Sequence, residues 1–292
     1  MKKLMLAGVA AAFMISGCGD ARSSFTAEEV VTISGFSQPE SVLYDPQSGL
    51  AYVSNIDCDP GGNWIDDGRG SVSVIGKDNR VEASPLVEST PPDGVINGPK
   101  GMCVLDGRLY FADNGRVMRC TLSGDSLEVF AEGFEAANDL ATDGRAVWVS
   151  DGAAGKIHAL SPDGRRREIH SPPGINGLTF SDERMFGVCW TQHEIYELDP
   201  TGEKAPVPFG LERHFKALDG IEVLDDGTFI VSDMVGNKVF TVSPDRSTVA
   251  KLLDISGPAD VGINRKDMML YVPQTDKSEV RVYRMRMDEV DK

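Results

Sequence analysis

A short motif recurs six times along the chain and constrains its fold more than any other feature. In each copy one residue precedes a short apolar strand in the same register, as in Pro39-Glu40-Ser41-Val42 and Leu218-Asp219-Gly220-Ile221. From the second copy onwards they follow one another at about forty residues, which is the spacing of a radial repeat architecture. If each copy begins the inner strand of a β-propeller blade, the six marked side chains converge on one axial cavity. These residues are Glu40, Lys100, Asn138, Asn176, Asp219 and Asp260.

The segments between the motifs also have the pattern of antiparallel sheets. In the second copy, Asp106-Gly107 separates two apolar runs, and Asp-Gly in this setting is a strong hairpin signal. No long helical period occurs after the N-terminus, so we predict an all-β, six-bladed propeller. Blade six lacks a fourth strand, whereas Glu29–Gly35 precedes blade one without a partner. We therefore expect this N-terminal strand to join the last blade and close the ring.

Length and charge narrow the possible partners. The 292 residues include 31 Gly and are 41% apolar, which suffices for one large core without an interdomain linker. The net charge of −16 argues against nucleic-acid binding and against an anionic membrane surface, which both need clustered Lys and Arg. We expect a monomer that binds a small molecule.

The first residues have the pattern of an export signal. Lys2-Lys3 precedes the apolar run Leu4–Met14, which is too short for a stable transmembrane anchor. Ile15-Ser16-Gly17-Cys18 resembles a bacterial lipobox, which implies cleavage before Cys18 and its lipidation. We predict a signal peptide at 1–17, a lipidated tether at 18–27 and the propeller at 28–292. The protein would then be an exported lipoprotein, periplasmic or at the cell surface, whose membrane contact is its lipid anchor.

Four cysteines remain after Cys18, and we expect them to be buried or unpaired thiols. Cys103 and Cys120 fall on the first and third strands of one blade, too far apart for a disulfide. Cys58 and Cys189 fall in loops of blades one and four, across the ring.

Four of the motif residues resemble the pattern of the gluconolactonase, or senescence marker protein (regucalcin), family, which is related to the paraoxonases. They are Glu at the start of blade one, Asn-Asp in blade three, Asn-Gly-Leu in blade four and Asp-Gly-Ile in blade five. The resemblance implies that Glu40, Asn176 and Asp219 bind a divalent cation and that Asn138 lies beside it. Calcium suits such oxygen donors, with Mg²⁺, Mn²⁺ or Zn²⁺ as alternatives. The competing interpretation is that Asn and Asp merely cap neighbouring turns, which suffices for Asp113, Asp151 and Asp233.

The resemblance implies a metal-dependent hydrolase of lactones or related esters, with Asp219 as the general base. Two departures from the family bear on this. Ala136 and Ala137 precede Asn138 where the mammalian-type gluconolactonases carry an Arg, so sugar-acid lactones are not favoured over other esters. Lys100 stands where paraoxonases carry a His. It could assist catalysis, or it could pair with Asp260 or Asp219 and replace the cation.

Further residues are candidates for substrate contact. Asp260 belongs to the ring, and Trp190, His193 and His214 fall on loops predicted to surround the entrance. The long insertion Asn55–Gly70 is either a flap over the ring, with Trp64 as its apolar contact, or an acidic surface loop. The alternative function is a membrane-tethered, non-catalytic binding or scaffold propeller whose ring is structural.

Overall fold

A computed structural model describes residues 21–22, 25–58, 62–82 and 85–287, and strands account for most of them. The strands, in chain order, are β1 (Ala21–Arg22), β2 (Phe25–Ser34), β3 (Pro39–Asp45), β4 (Leu50–Asn55), β5 (Gly70–Ile75), β6 (Val87–Ser89), β7 (Pro99–Leu105), β8 (Arg108–Asp113), β9 (Arg116–Thr121), β10 (Glu128–Glu132), β11 (Ala137–Thr142), β12 (Val147–Asp151), β13 (Lys156–Leu160), β14 (Arg166–His170), β15 (Ile175–Ser181), β16 (Arg184–Cys189), β17 (Glu194–Leu198), β18 (Val207–Pro208), β19 (Leu218–Val223), β20 (Phe229–Asp233), β21 (Lys238–Val242), β22 (Val249–Asp254), β23 (Gly262–Asn264), β24 (Met269–Gln274) and β25 (Glu279–Met287). Two short 3-10 helices lie at Glu212–His214 and Thr275–Lys277.

These strands form six sheets, which are the blades of a β-propeller. Blades one to five each take four consecutive strands, beginning at β3, β7, β11, β15 and β19. Blade six takes β23, β24 and β25 and is completed by β2, which pairs antiparallel with β25. The predicted all-β fold and its closure by the N-terminal strand are therefore confirmed.

The propeller begins slightly earlier than predicted. Phe25 already belongs to β2, is 3% exposed and packs between blades five and six, so residues 25–27 belong to the fold instead of a tether. Farther upstream, β1 pairs in parallel with β22 at the outer edge of blade five. Cys18 and the predicted signal peptide lie outside the described residues.

The two faces of the propeller differ in which strand ends they carry. All inner strands begin at one face, here called the upper face, and the hairpin turns that follow them lie at the lower face. One such turn is Asp106-Gly107, where both residues have positive φ, at 51° and 70°. This conformation matches the tight hairpin that Asp-Gly predicts.

Aspartates at the ends of second strands cap the turns before the first strands. In blade three, the Asp151 carboxylate accepts hydrogen bonds from the backbone amides of Glu135 and Ala136, both at 2.9 Å. Asp113 and Asp233 do the same in blades two and five. The structure thus confirms the capping interpretation of these three residues.

Apolar side chains fill the space between neighbouring blades. The largest fully buried ones include Trp148, Tyr52, Phe111 and Phe186. All four cysteines after Cys18 are buried and unpaired, as expected. No helix in the described parts of the chain has the length and hydropathy that a bilayer-spanning segment needs.

Candidate active site

A cavity of about 600 Å³ opens at the upper face, where the inner strands begin. Its polar lining comes largely from five of the six motif positions: Glu40, Lys100, Asn138, Asn176 and Asp219. Each of these inner strands has a register shift at this point, a bulge of the kind that often accompanies active sites. Five of the six side chains that the repeat predicted to share a cavity therefore do so.

Asp260 is the exception, because blade six is offset by one residue from the predicted register. Ala259 lines the upper cavity at the position equivalent to Asp219, whereas Asp260 lines a different cavity at the lower end of the axis. The Asp260 amide donates to the Glu40 carbonyl at 2.9 Å, and its side chain accepts from Ser41 Oγ at 2.7 Å. Pairing with blade one thus fixes this register, and Asp260 does not line the cavity of the expected substrate site.

The lower cavity has a volume of about 340 Å³ and is lined by four acids, of which Asp45 and Asp139 are buried and Glu222 and Asp260 are half-buried. Asp139 accepts hydrogen bonds from the Leu140 and Leu178 amides, and Glu222 forms an ion pair with Arg265. Asn138-Asp139 is the equivalent pair in blade three. Aligning Ala259-Asp260 with that pair in the sequence would have placed Asp260 at the lower cavity.

Glu40 is the least compensated group of the upper cavity. It is 8% exposed, and its Oε2 atom has no hydrogen-bond partner among the described residues. Burial raises the pKa of Glu40 well above its usual value, and the nearby carboxylates Asp219 and Asp260 raise it further, against an opposing effect of Lys100. A buried carboxylate with an unpartnered oxygen needs a proton or a cation.

Asp219 is the second acid of this cavity, and its environment is similar. It is 5% exposed, and burial raises the pKa of Asp219 to about 7, although a hydrogen bond from Asn176 Nδ2 at 2.7 Å opposes this effect. A cation bound at this carboxylate would lower its pKa and keep it ionised, the form in which it can accept a proton.

These residues fit a hard divalent cation. Two buried carboxylates lie at the same cavity as two side-chain amides, and one carboxylate oxygen has no partner. Within the described residues, no three His, Cys, Asp or Glu side chains are grouped closely enough to hold a metal on their own. A cation here would consequently depend on the amide oxygens of Asn138 and Asn176, and such an oxygen-only donor set suits Ca²⁺ better than Zn²⁺.

Lys100 does not pair with either of the carboxylates proposed for it. Its Nζ atom donates to the carbonyls of Asn63 and Gly98 at 3.0 and 2.9 Å, and to Asn114 Oδ1 at 2.8 Å. The ammonium group also lies 4.1 Å from the centre of the Trp64 ring. Burial lowers the pKa of Lys100, although Glu40 and other nearby acids oppose this effect. The three N–H groups are thus taken by uncharged oxygens.

The walls of the upper cavity are mainly apolar. Trp64 and Trp190 both line it, as predicted, and the other apolar lining residues are Ile56, Ala136, Ala153, Pro173, Ile175, Met234 and Ala259. His193 and His214 lie on upper-face loops but are not lining residues. His193 occupies a left-handed turn position with φ of 57°, and His214 is in the 3-10 helix beside Arg213. Neither histidine therefore lines the cavity, and contact of either with a substrate stays a prediction.

Comparison with known proteins gives the fold independent support. No protein-family model matches the chain, and no curated protein is significantly similar to it in sequence. Among solved structures, a protein provisionally assigned as a gluconolactonase is 18% identical, with a TM-score of 0.66 and coverage of 92% of this chain and 94% of that one.

Two other similar structures are enzymes of different kinds. A luciferin-regenerating enzyme is 15% identical, with a TM-score of 0.66 and coverage of 89% and 95%. An inactive variant of virginiamycin B lyase from Staphylococcus aureus, with quinupristin, is 14% identical, with a TM-score of 0.59 and coverage of 89% and 99%. The resemblance to gluconolactonase-like propellers is thereby confirmed at the level of the fold, which this chain shares with both hydrolase-like and lyase enzymes.

Proposed function

We propose that the protein is a divalent-cation-dependent hydrolase of lactones or related esters, with its active site in the upper cavity. One observation carries the proposal: two buried carboxylates, Glu40 with an unpartnered oxygen and Asp219 held by Asn176, share an apolar-walled cavity, and burial raises the pKa of both. Enzyme sites commonly combine such a cavity with acids of shifted pKa. Because the fold also supports lyases, the proposal depends on these residues and not on the fold.

The cation would be held by Glu40, Asn138, Asn176 and Asp219, and we propose Ca²⁺. When bound, it would act as a Lewis acid that polarises the carbonyl of the ester. Side chains of the protein itself supply the proton transfer and the binding of the substrate. Asp219 accepts the proton of the attacking water, and the hydrogen bond from Asn176 holds its carboxylate in place. The apolar walls around Trp190 bind the ester's substituents and limit the access of other water molecules.

We also propose the location and partners that the sequence indicates. The protein would be lipidated at Cys18 and exported, with a small ester or lactone as substrate and the lipid as its membrane contact. The proposal includes no nucleic-acid partner, because the chain carries 45 acidic and only 29 basic residues.

The test is hydrolysis by the chelator-stripped mature domain before and after calcium is added. The substrates are p-nitrophenyl acetate, γ-butyrolactone, a longer-chain lactone and an aryl phosphotriester. We expect turnover of at least one carboxylic ester that depends on calcium and is abolished again by chelator. If the calcium-loaded protein turns over none of them, the hydrolase proposal fails, and a non-catalytic binding propeller becomes the better account.

A further inference from the structure

The segment that covers the upper cavity is fastened by two buried side chains from blade two. This segment, residues 62–69, is here called the flap; it lies between β4 and β5. Lys100 is 2% exposed and donates to the Asn63 carbonyl, while its ammonium group lies over the Trp64 ring. Both contacts of Lys100 thus join the inner strand of blade two to a loop of blade one.

Asn114 provides the second attachment. Its Nδ2 atom donates to the Ile65 carbonyl at 3.3 Å and to Asp66 Oδ1 at 3.0 Å, and its Oδ1 atom accepts from Lys100. The residue is 5% exposed and has a φ of 56°, a left-handed conformation that Asn tolerates better than most residues. Asn114 therefore connects Lys100 to the flap and holds the flap directly.

We propose that Lys100 and Asn114 form a latch that fixes the flap over the upper cavity and makes Trp64 its specificity-determining wall. Trp64 lines the cavity although its side chain is 48% exposed, so its position depends on what holds the flap. The role of Trp64 in specificity rests on the proposed hydrolase function, whereas the latch does not depend on that function.

The bonding of Lys100 favours this positioning role over catalysis or charge neutralisation. Each of its three N–H donors already has an uncharged acceptor between 2.8 and 3.0 Å, so none remains for a substrate oxygen. A buried amine that replaced the cation would instead be expected to contact Glu40 or Asp219. Lys100 consequently does not neutralise the carboxylates of the cavity, and these still need a cation.

Hydrogen–deuterium exchange of peptides covering the flap tests the latch without any substrate. Lys100→Met removes all three donors. Asn114→Asp keeps the acceptor for Lys100 but removes the donor to the flap and places a carboxylate beside Asp66. We expect both folded variants to exchange the flap amides on the order of tenfold faster than the wild type. Lys77→Met, an exposed lysine at the lower turn of blade one, is the matched control and should change nothing.

Exchange in peptides from blades four and five reports whether each variant is folded. If Lys100→Met is not folded, the Asn114→Asp comparison still decides. Unchanged flap exchange in either folded variant overturns the latch, because the proposal requires both residues. Loss of turnover in Lys100→Met with an unchanged flap would instead identify a catalytic lysine.

Steady-state kinetics test whether Trp64 determines substrate specificity. For Trp64→Ala we expect KM to rise about tenfold for p-nitrophenyl acetate but little for γ-butyrolactone, with kcat nearly retained for both. Asn114→Asp should shift KM in the same direction. Equal effects on both substrates would overturn the role of Trp64. If no substrate is turned over, the hydrolase proposal fails, while the exchange experiment still tests the latch.

Discussion

At the scale of single residues, Asp219 is the group whose chemistry matters most. Asp113, Asp151 and Asp233 are at least as buried, but their carboxylates accept hydrogen bonds from backbone amides. The Asp219 carboxylate instead accepts one from the Asn176 side chain and lines the upper cavity. The same residue would hold the cation and accept the proton from water. Replacing its carboxylate with an amide of similar size removes the charge and the proton acceptor while leaving the packing nearly unchanged.

We predict that Asp219→Asn abolishes hydrolysis but leaves the fold intact. Loss of a positioned general base lowers kcat by ~10²–10⁴, and loss of one ligand charge adds to this. The measurement is kcat for p-nitrophenyl acetate, together with the melting temperature. Asp106→Asn, at an exposed lower-face turn, is the control with normal activity. A kcat for Asp219→Asn close to that of the wild type would contradict the proposed role.

The sequence predicted some site residues and not others, for a physical reason. Glu40, Asn138, Asn176 and Asp219 could be found because the repeat places them in one register. The contacts of Asn114 with the flap could not, since they join loops 48 and 49 positions apart that have no repeating pattern.

At the scale of strands and turns, the repeat predicted the blades closely. For example, β7 and β8 flank the predicted Asp106-Gly107 hairpin turn, because apolar runs and turn residues define them locally. Blade six shows the limit of this reasoning. Its inner strand begins only at Gly262, and the position of Asp260 is set by pairing with blade one, which no local pattern reveals.

The capping aspartates lead to a prediction about acid stability. Burial would raise the pKa of Asp151, but hydrogen bonds from His158 and from the Glu135 and Ala136 amides outweigh it and lower the pKa to about 2. A lowered pKa means that the contribution to stability is complete above the ordinary value of 3.8 and is lost as the pH falls towards 2. The shift corresponds to about 2 kcal/mol at neutral pH.

We therefore predict that Asp151→Asn is about 2 kcal/mol less stable than the wild type at pH 7, because one buried amide loses its acceptor. The difference should shrink as the pH is lowered from 4 to 2. Urea unfolding at several pH values measures it, with Asp106→Asn as the control. A difference that stays constant down to pH 2 would show that the charge of Asp151 is not responsible.

At the scale of the whole molecule, the ends of β2 fix the direction in which the chain enters. Phe25 lies at the lower face, opposite Met287, and Ser34 lies at the upper face, opposite Glu279. The upper cavity thus opens on the side away from the N-terminal entry. Cys18 precedes Ala21 by three positions, which spans at most ~11 Å. A lipid on Cys18 would consequently keep the lower face near the bilayer.

We predict that the lipidated protein holds its cavity away from the membrane. A fluorophore at Asp106→Cys, on the lower face, should be quenched by spin-labelled lipid headgroups, whereas one at Val235→Cys, exposed on the upper face, should not. Cys18→Ser should release the protein from the membrane fraction. Unchanged anchoring of Cys18→Ser would refute lipidation, and stronger quenching at Val235 would refute the orientation.

The most direct test of the account is a calorimetric calcium titration of the chelator-stripped mature domain. We predict one calcium site per chain, weakened at least about tenfold in Glu40→Gln, because that change removes a ligand charge. Glu88→Gln, at an exposed position of β6 in the same blade, should bind as the wild type does. Absence of calcium binding by the wild type, or equal binding by Glu40→Gln, would contradict the claim that the upper cavity holds a divalent cation.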